Sequence, residues 1–317
     1  MYNKVLLAIL SLFTTYFGAI SQEYNNESGV VSDNDAYLWY GQDRYYTNGL
    51  FIYYRRAIDQ RKLNGNLEKL TYELSIGQKM YTPLSGYGPD PRTHDRPFAG
   101  YLYGKAQVNL FYQKEQVWKV GLALGTSGPN SLASGTQNLI HTTVGLYETS
   151  GWDYQIQNEA VANLDIQYTA LLGRNSAKSV DFSLESYAQL GTVFNGAGLG
   201  LLIRTGHINQ LFNSSYHNAA ISQNSKTKKL HERELYFYAR PQFNYVAYDA
   251  TIQGSLFTNN SPVTFSVRPF VFEQKIGANY STARFTLDYS LTFRGREIKS
   301  NARPHQYGSI AIFYRFN

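Results

Sequence analysis

Apolar and polar residues alternate with a period of two along segment after segment of this chain. In Ser281–Arg294, Phe285, Leu287, Tyr289, Leu291 and Phe293 fall on one strand face, and Thr286, Asp288, Ser290, Thr292 and Arg294 on the other. Asp181–Phe194 sets Phe182, Leu184, Ala188 and Leu190 against Asp181, Ser183, Glu185, Tyr187 and Gln189. Ala162–Leu172, Arg233–Val246 and His305–Phe316 repeat the pattern. Successive strand side chains point to opposite faces, so each segment reads as a two-faced strand. The polar faces carry Asn, Gln, Ser, Thr, Asp and Arg rather than many lysines. That suits the hydrogen-bonded lumen of a transmembrane barrel better than the wet face of a soluble sandwich.

Composition alone leaves the two architectures level. Tyrosine is abundant, at 28 residues, while mean hydropathy is −0.38, as an aromatic-girdled barrel with a polar interior requires. The absence of cysteine excludes disulfides and thiolate metal sites. A net charge of +6 suits an anionic lipid surface, and no basic run interleaved with aromatics argues for nucleic acid. Lys4, the apolar run Val5–Ile20 and the small residues Gly18, Ala19 and Ser21 read as a signal peptide over residues 1–21, with export to an outer membrane. The run is short for a membrane-spanning anchor, the other reading, which needs about 20 apolar residues.

Twelve strands are predicted, near 27–40, 46–58, 68–81, 98–113, 117–126, 155–172, 179–193, 197–204, 233–248, 263–278, 281–295 and 305–316. An even count closes an antiparallel barrel of one domain, residues 22–317, with both ends in the periplasm. Residues 41–45, 82–97, 127–154, 194–196, 249–262 and 296–304 then lie outside. Residues 205–232 form a periplasmic connection longer than such turns usually are. Tyr314–Arg315–Phe316–Asn317 ends the last strand one residue past the aromatic that commonly closes such barrels.

The chemically dense motifs fall in or beside the first three outer connections. Ser32–Asp33–Asn34–Asp35 and Asp43–Arg44–Tyr45–Tyr46–Thr47–Asn48–Gly49 crowd carboxylates, amides and a hydroxyl at a strand–loop–strand junction. Such groups are costly together unless they bind something or pair with each other. Asn34 and Asp35 would face opposite ways in a regular strand, so a site using both needs a strand end, a bulge or a twist. Asp35 is a hard-cation ligand by type; strand-end capping and turn chemistry at Asn48–Gly49 are the plainer readings. In Asp95–Arg96–Pro97–Phe98–Ala99–Gly100, Pro97 and Gly100 shape the start of a strand. Arg92 and Arg96 are either phosphate partners or solvated loop charges. A short helix over 136–147 would put Gln137 and His141 on one face, where Gln137 could orient the imidazole. His141 is a general-base candidate, although a lone loop histidine is often incidental. Trp152 reads as part of an interface belt. No Gly-x-Ser-x-Gly elbow, His-Glu-x-x-His or phosphate-cradling glycine loop is present.

Taken in order, Asn34–Asp35, Asp43–Gly49, Asp95–Gly100, Gly128–Pro129, Gln137–Asn138 with His141, and Gly151–Trp152–Asp153–Tyr154–Gln155 with Asn158–Glu159 resemble the outer-membrane lipid A 3′-O-deacylase (LpxR-like) family. The likeness is strong over 34–159; beyond it lie barrel character and Thr251–Ile252–Gln253–Gly254. It implies a twelve-stranded barrel that takes lipid A of lipopolysaccharide as substrate and, with Ca2+, hydrolyses its 3′ ester to release an acyloxyacyl group. It further implies His141 as the base activating water, Asp35 as a metal ligand, and Asn34 and Thr47 as polar partners. Arg92, Arg96 and Gln137 are the substrate-binding candidates, and a monomer is expected. Tyr147, with Glu148 beside it, stands where the family pattern would have an acid. The competing functional readings are a passive or structural barrel and an outer-membrane phospholipase or other lipid esterase. If residues 1–21 are a cleaved leader, N-terminal sequencing of the membrane-inserted protein will start at Gln22; a retained Met1 would make them an anchor.

Overall fold

The computed structural model describes residues 23–38 and 44–317; the leader lies outside them, as do Asp43 and its four preceding neighbours. Twelve antiparallel strands form one closed barrel. They are β1 (Asn26–Asn34), β2 (Tyr45–Ala57), β3 (Leu67–Thr82), β4 (Ala99–Tyr112), β5 (Gln116–Ser127), β6 (Glu159–Arg174), β7 (Val180–Gly191), β8 (Phe194–His207), β9 (Glu234–Asp249), β10 (Phe270–Ser281), β11 (Phe285–Arg294) and β12 (His305–Phe316). Each strand pairs with its sequence neighbours, and β1 closes on β12 from Asn26↔Phe316 to Asn34↔Gly308. Closure matters because hydrocarbon offers no partner to an edge strand's N–H and C=O groups. Among the described residues two α-helices join them, α1 (Ala133–Val144) and the single turn α2 (Ala250–Gln253).

The alternation sorts as the pattern predicts. Ile52, Leu74, Ile76, Leu190, Phe237 and Phe243 are exposed on the outer wall, while Thr286, Ser290 and Thr292 are buried inside. The lumen holds its charges as paired ions. Arg55 donates to Glu27 at 2.8 Å and to Glu73, and Arg315 donates to Glu27 at 2.8 Å. Arg204 meets Asp181 at 2.6 Å, and Glu273 joins Arg240 (2.6 Å) to Arg294 (2.8 Å). Removing one partner of such a pair strands a buried charge, at a cost of about 3–5 kcal/mol.

Most long connections leave one end of the barrel and most short turns the other, which identifies the former as extracellular. Some strand limits differ from expectation, for physical reasons. β1 stops at Asn34 because the chain turns there into a 3-10 turn, Asp35–Leu38. β10 starts at Phe270 rather than 263. The alternating Val263, Phe265 and Val267 before it point into a cap over the barrel mouth, with Val267 and Phe265 packed on Tyr45, Ile252, Ile298 and Ala302.

The long periplasmic connection is a stopper. Residues 208–233 fold back into the lumen through 3-10 turns at Leu211–Asn213 and Ser215–His217. Lys69 Nζ donates to Asn213 Oδ1 (3.1 Å) and to the Ala219 carbonyl (2.5 Å). Glu234 accepts from the Ser215 N–H and hydroxyl, both at 2.7 Å, and from the Asn209 N–H at 3.0 Å. Leu211, Phe212 and Ala219 pack on Phe111 and Val117. With a stopper below and a cap above, the barrel is expected to show no steady conductance in a planar bilayer, and excision of residues 210–230 is expected to open one. A steady porin-like current from the intact protein would contradict this architecture.

Candidate functional site

Asn34 is the last residue of β1 and Asp35 the first of the turn, so strand alternation does not separate them. The Asn34 side-chain oxygen accepts from the Ala36 N–H at 2.6 Å, and its amide donates to Asn48 Oδ1 at 2.5 Å. Asp35 is buried, and its Oδ2 accepts the Arg44 N–H at 2.9 Å. Thr47 is the residue left over where the β2–β3 register shifts between Tyr46 and Asn48, and it is fully buried. A strand end and a bulge thus re-aim this stretch, as bulges at barrel rims do. Asp33 points the other way, into the lumen, where it accepts from the Tyr46 hydroxyl at 2.7 Å.

Asn34, Asn48, Met80 and Gly100 lie side by side across β1–β4, in direct register on the outer face of the wall. The loop after β5 docks there. A Cβ on Gly100 would sit 1.9 Å from Ser131 Oγ and 2.5 Å from Ala133 Cβ, so the bare backbone is what admits the loop. Gln78 donates to the Ser131 carbonyl at 2.6 Å, and Met80 packs with Phe98, Ala133, Trp152 and Ile140. Gly151, at φ +106°, lets this loop touch the Gly88 carbonyl of the preceding one. Helix α1 therefore lies against the outside of the barrel over Met80, the β3 residue paired with Asn48.

His141 sits on α1, buried, with Nδ1 at 2.7 Å from the Tyr147 carbonyl and its ring edge-on to the Tyr147 ring at 4.9 Å. A carbonyl only accepts, so Nδ1 carries a proton, and in the neutral tautomer this leaves, the lone pair sits on Nε2. Gln137 shares the buried face, but its side-chain oxygen accepts from the Trp152 indole at 2.9 Å. Among the described residues, the Tyr147 carbonyl orients the His141 ring, and Gln137 is turned to Trp152. Trp152 is buried in this loop core and not at a membrane interface.

The two arginines are held elsewhere. Arg92 is exposed and donates to Asp90 at 2.7 Å, which holds the Asp90 carboxyl down at about 2. Arg96 is 1% exposed; it donates to Thr251 Oγ1 at 2.8 Å and stacks 4.3 Å from the Tyr81 ring. A phosphate contact by Arg96 would require the cap to open. For a cation, the rim offers the Asp35 carboxylate, the Asn34 and Asn48 amide oxygens and the Thr47 hydroxyl. These all-oxygen donors suit calcium in kind, although among the described residues no group of three His, Cys, Asp or Glu side chains could hold a metal.

Fold and site together define an outer-membrane β-barrel with a polar site on the outer rim of its wall. The chain belongs to the LpxR family: residues 6–316 match the family model described as "Outer membrane protein LpxR". Among solved structures it is similar to LpxR from Salmonella typhimurium, at 20% identity and a TM-score of 0.74, covering 92% of this chain and 100% of that one. The β domain of the Bordetella autotransporter BrkA shares the barrel at 11% identity and a TM-score of 0.50, covering 93% of this chain and 100% of that one. No curated protein matches by sequence. Gly100→Leu is expected to leave the barrel folded and loosen its outer loop, seen as faster limited proteolysis between residues 128 and 158; unchanged protection would show that Gly100 does not set the docking.

Proposed function

We propose that this protein is a lipid A 3′-O-deacylase acting in the outer leaflet. The observation that carries the reading is the position of His141, buried and held by a carbonyl, on a helix laid against the outside of the wall over Met80, which pairs with Asn48 of the polar stretch. Chemistry on the outer wall near the extracellular rim meets a lipid where its acyl esters leave the headgroup. A stoppered lumen offers a passive pore little room.

In this reading His141 Nε2 takes a proton from water as the water oxygen bonds to the ester carbonyl carbon. The tetrahedral centre then breaks its bond to the sugar oxygen, which leaves with the proton returned by His141, giving a carboxylic acid and a free hydroxyl. Positioned proton transfer of this kind contributes about 10²–10⁴-fold. The Thr47 hydroxyl and Asn34 amide are polar neighbours for the carbonyl. Asp35, with the Asn34 oxygen, would hold calcium, which when bound polarises an ester carbonyl. All these groups lie on one chain, in keeping with a working monomer.

Mass spectrometry of lipid A from cells with and without the protein tests the substrate. Loss of the 3′-acyloxyacyl mass supports the proposal; unchanged lipid A with cleaved phospholipid points to a phospholipase on the same scaffold. His141→Ala is expected to lower activity at least 10²-fold with the barrel still folded, and full activity in that variant would remove His141 as the base. Chelation is expected to stop turnover and added calcium to restore it; turnover indifferent to chelation would remove the metal from the reading.

A further inference from the structure

The loop that carries His141 contains no Lys or Arg between Gly128 and Asn158, and its Glu148 and Asp153 are exposed acids. Of the arginines in the preceding loop, Arg92 is already paired and Arg96 is buried. Neither loop therefore presents an uncommitted cation to an anionic headgroup. Across the β1–β2 hairpin the balance reverses. Residues 295–304 expose Arg296, Lys299 and Arg303, and residues 250–269 expose Arg268. None of these four has a carboxylate within salt-bridge distance among the described residues. The one acid in the two loops, Glu297, turns inward to Arg294 at 2.6 Å.

This basic face is fixed to the candidate site. The Arg303 N–H donates to the Tyr45 hydroxyl at 2.8 Å, and Ser300 Oγ donates to the Asp95 carbonyl at 2.6 Å. Ile298 and Ala302 pack on Tyr45, two residues before Thr47. Arg268 Nε donates to the Ile298 carbonyl at 3.2 Å, which draws the fourth cation over the same loop. Guanidinium forks match phosphate oxygens, and cations near an anionic membrane surface each add to binding.

We infer that Arg268, Arg296, Lys299 and Arg303 form a docking surface for the phosphate groups of an anionic outer-leaflet glycolipid. The inference rests on the deacylase reading for the identity of that lipid. The headgroup then sits across the β1–β2 hairpin, its phosphate on the basic loops and its ester toward His141.

Binding is measured with the full-length protein carrying His141→Ala, so that the lipid stays intact. The probes are vesicles of phosphatidylcholine with phosphorylated or dephosphorylated lipid A. Adding Arg296→Gln, Lys299→Gln and Arg303→Gln is expected to weaken binding of the phosphorylated lipid about tenfold and flatten its salt dependence. Binding of the dephosphorylated lipid is expected to stay the same, with heat-modifiable gel mobility confirming a folded barrel. Equal binding by both proteins, or an equal loss for both lipids, overturns the inference. Displacement of the lipid by millimolar inorganic phosphate overturns it in favour of a soluble-phosphate site. If the unmutated protein cleaves no lipid A, the deacylase reading fails while this binding result still decides the docking surface.

Discussion

Everything in this molecule depends on the seam between β1 and β12. Closing the sheet there satisfies the last row of backbone donors and acceptors that lipid cannot serve. The seam is also tied from inside, since Glu27 on β1 accepts from Arg315 on β12 and from Arg55 on β2, and Arg55 goes on to Glu73 on β3. One buried carboxylate thus joins both sides of the closure. A chain of alternating cations and anions inside the wall makes that end of the barrel rigid, because moving any member exposes another to an unpaired environment.

The candidate site lies outside this rigid cylinder. The polar stretch Asn34–Asn48 escapes the strict in-and-out order of the wall through two local breaks, the end of β1 and the bulge at Thr47. A loop can lie on the wall only where the wall is thin, and Gly100 makes it thin. The extracellular end then has two electrostatic halves: the histidine loop with exposed acids and no cations, and the loops after β9 and β11 with exposed cations and one inward acid.

The wall was legible because period-two alternation is local and repeated. Strand number, closure and the outward placement of the motif loops all follow from it; the helix containing His141 rests instead on the four-residue spacing of Gln137 and His141. The helix begins at Ala133, three residues earlier than the pattern suggests, on the left-handed Leu132, and ends at the left-handed Gly145. What could not be read came from groups whose partners are distant or are backbone. The Tyr147 carbonyl beside His141 has no side-chain signal. Arg96 looks like a surface charge until Thr251, 155 residues later, is brought against it. The Trp152 indole donates to the Gln137 side-chain oxygen inside a loop core that no periodicity marks. The alternation at 263–267 is real but serves the cap, because period two reports a two-faced strip and not what each face meets.

The stopper carries a consequence for how the protein is built. Its polar anchors reach Lys69 on β3, Arg204 on β8 and, through Ser215, Asn279 on β10. It therefore touches strands made early and late in synthesis. Once β1 has zipped to β12, a segment of this size and polarity has only a narrow, charge-lined mouth through which to enter. That geometry favours an assembly in which residues 208–233 are in place before the seam shuts.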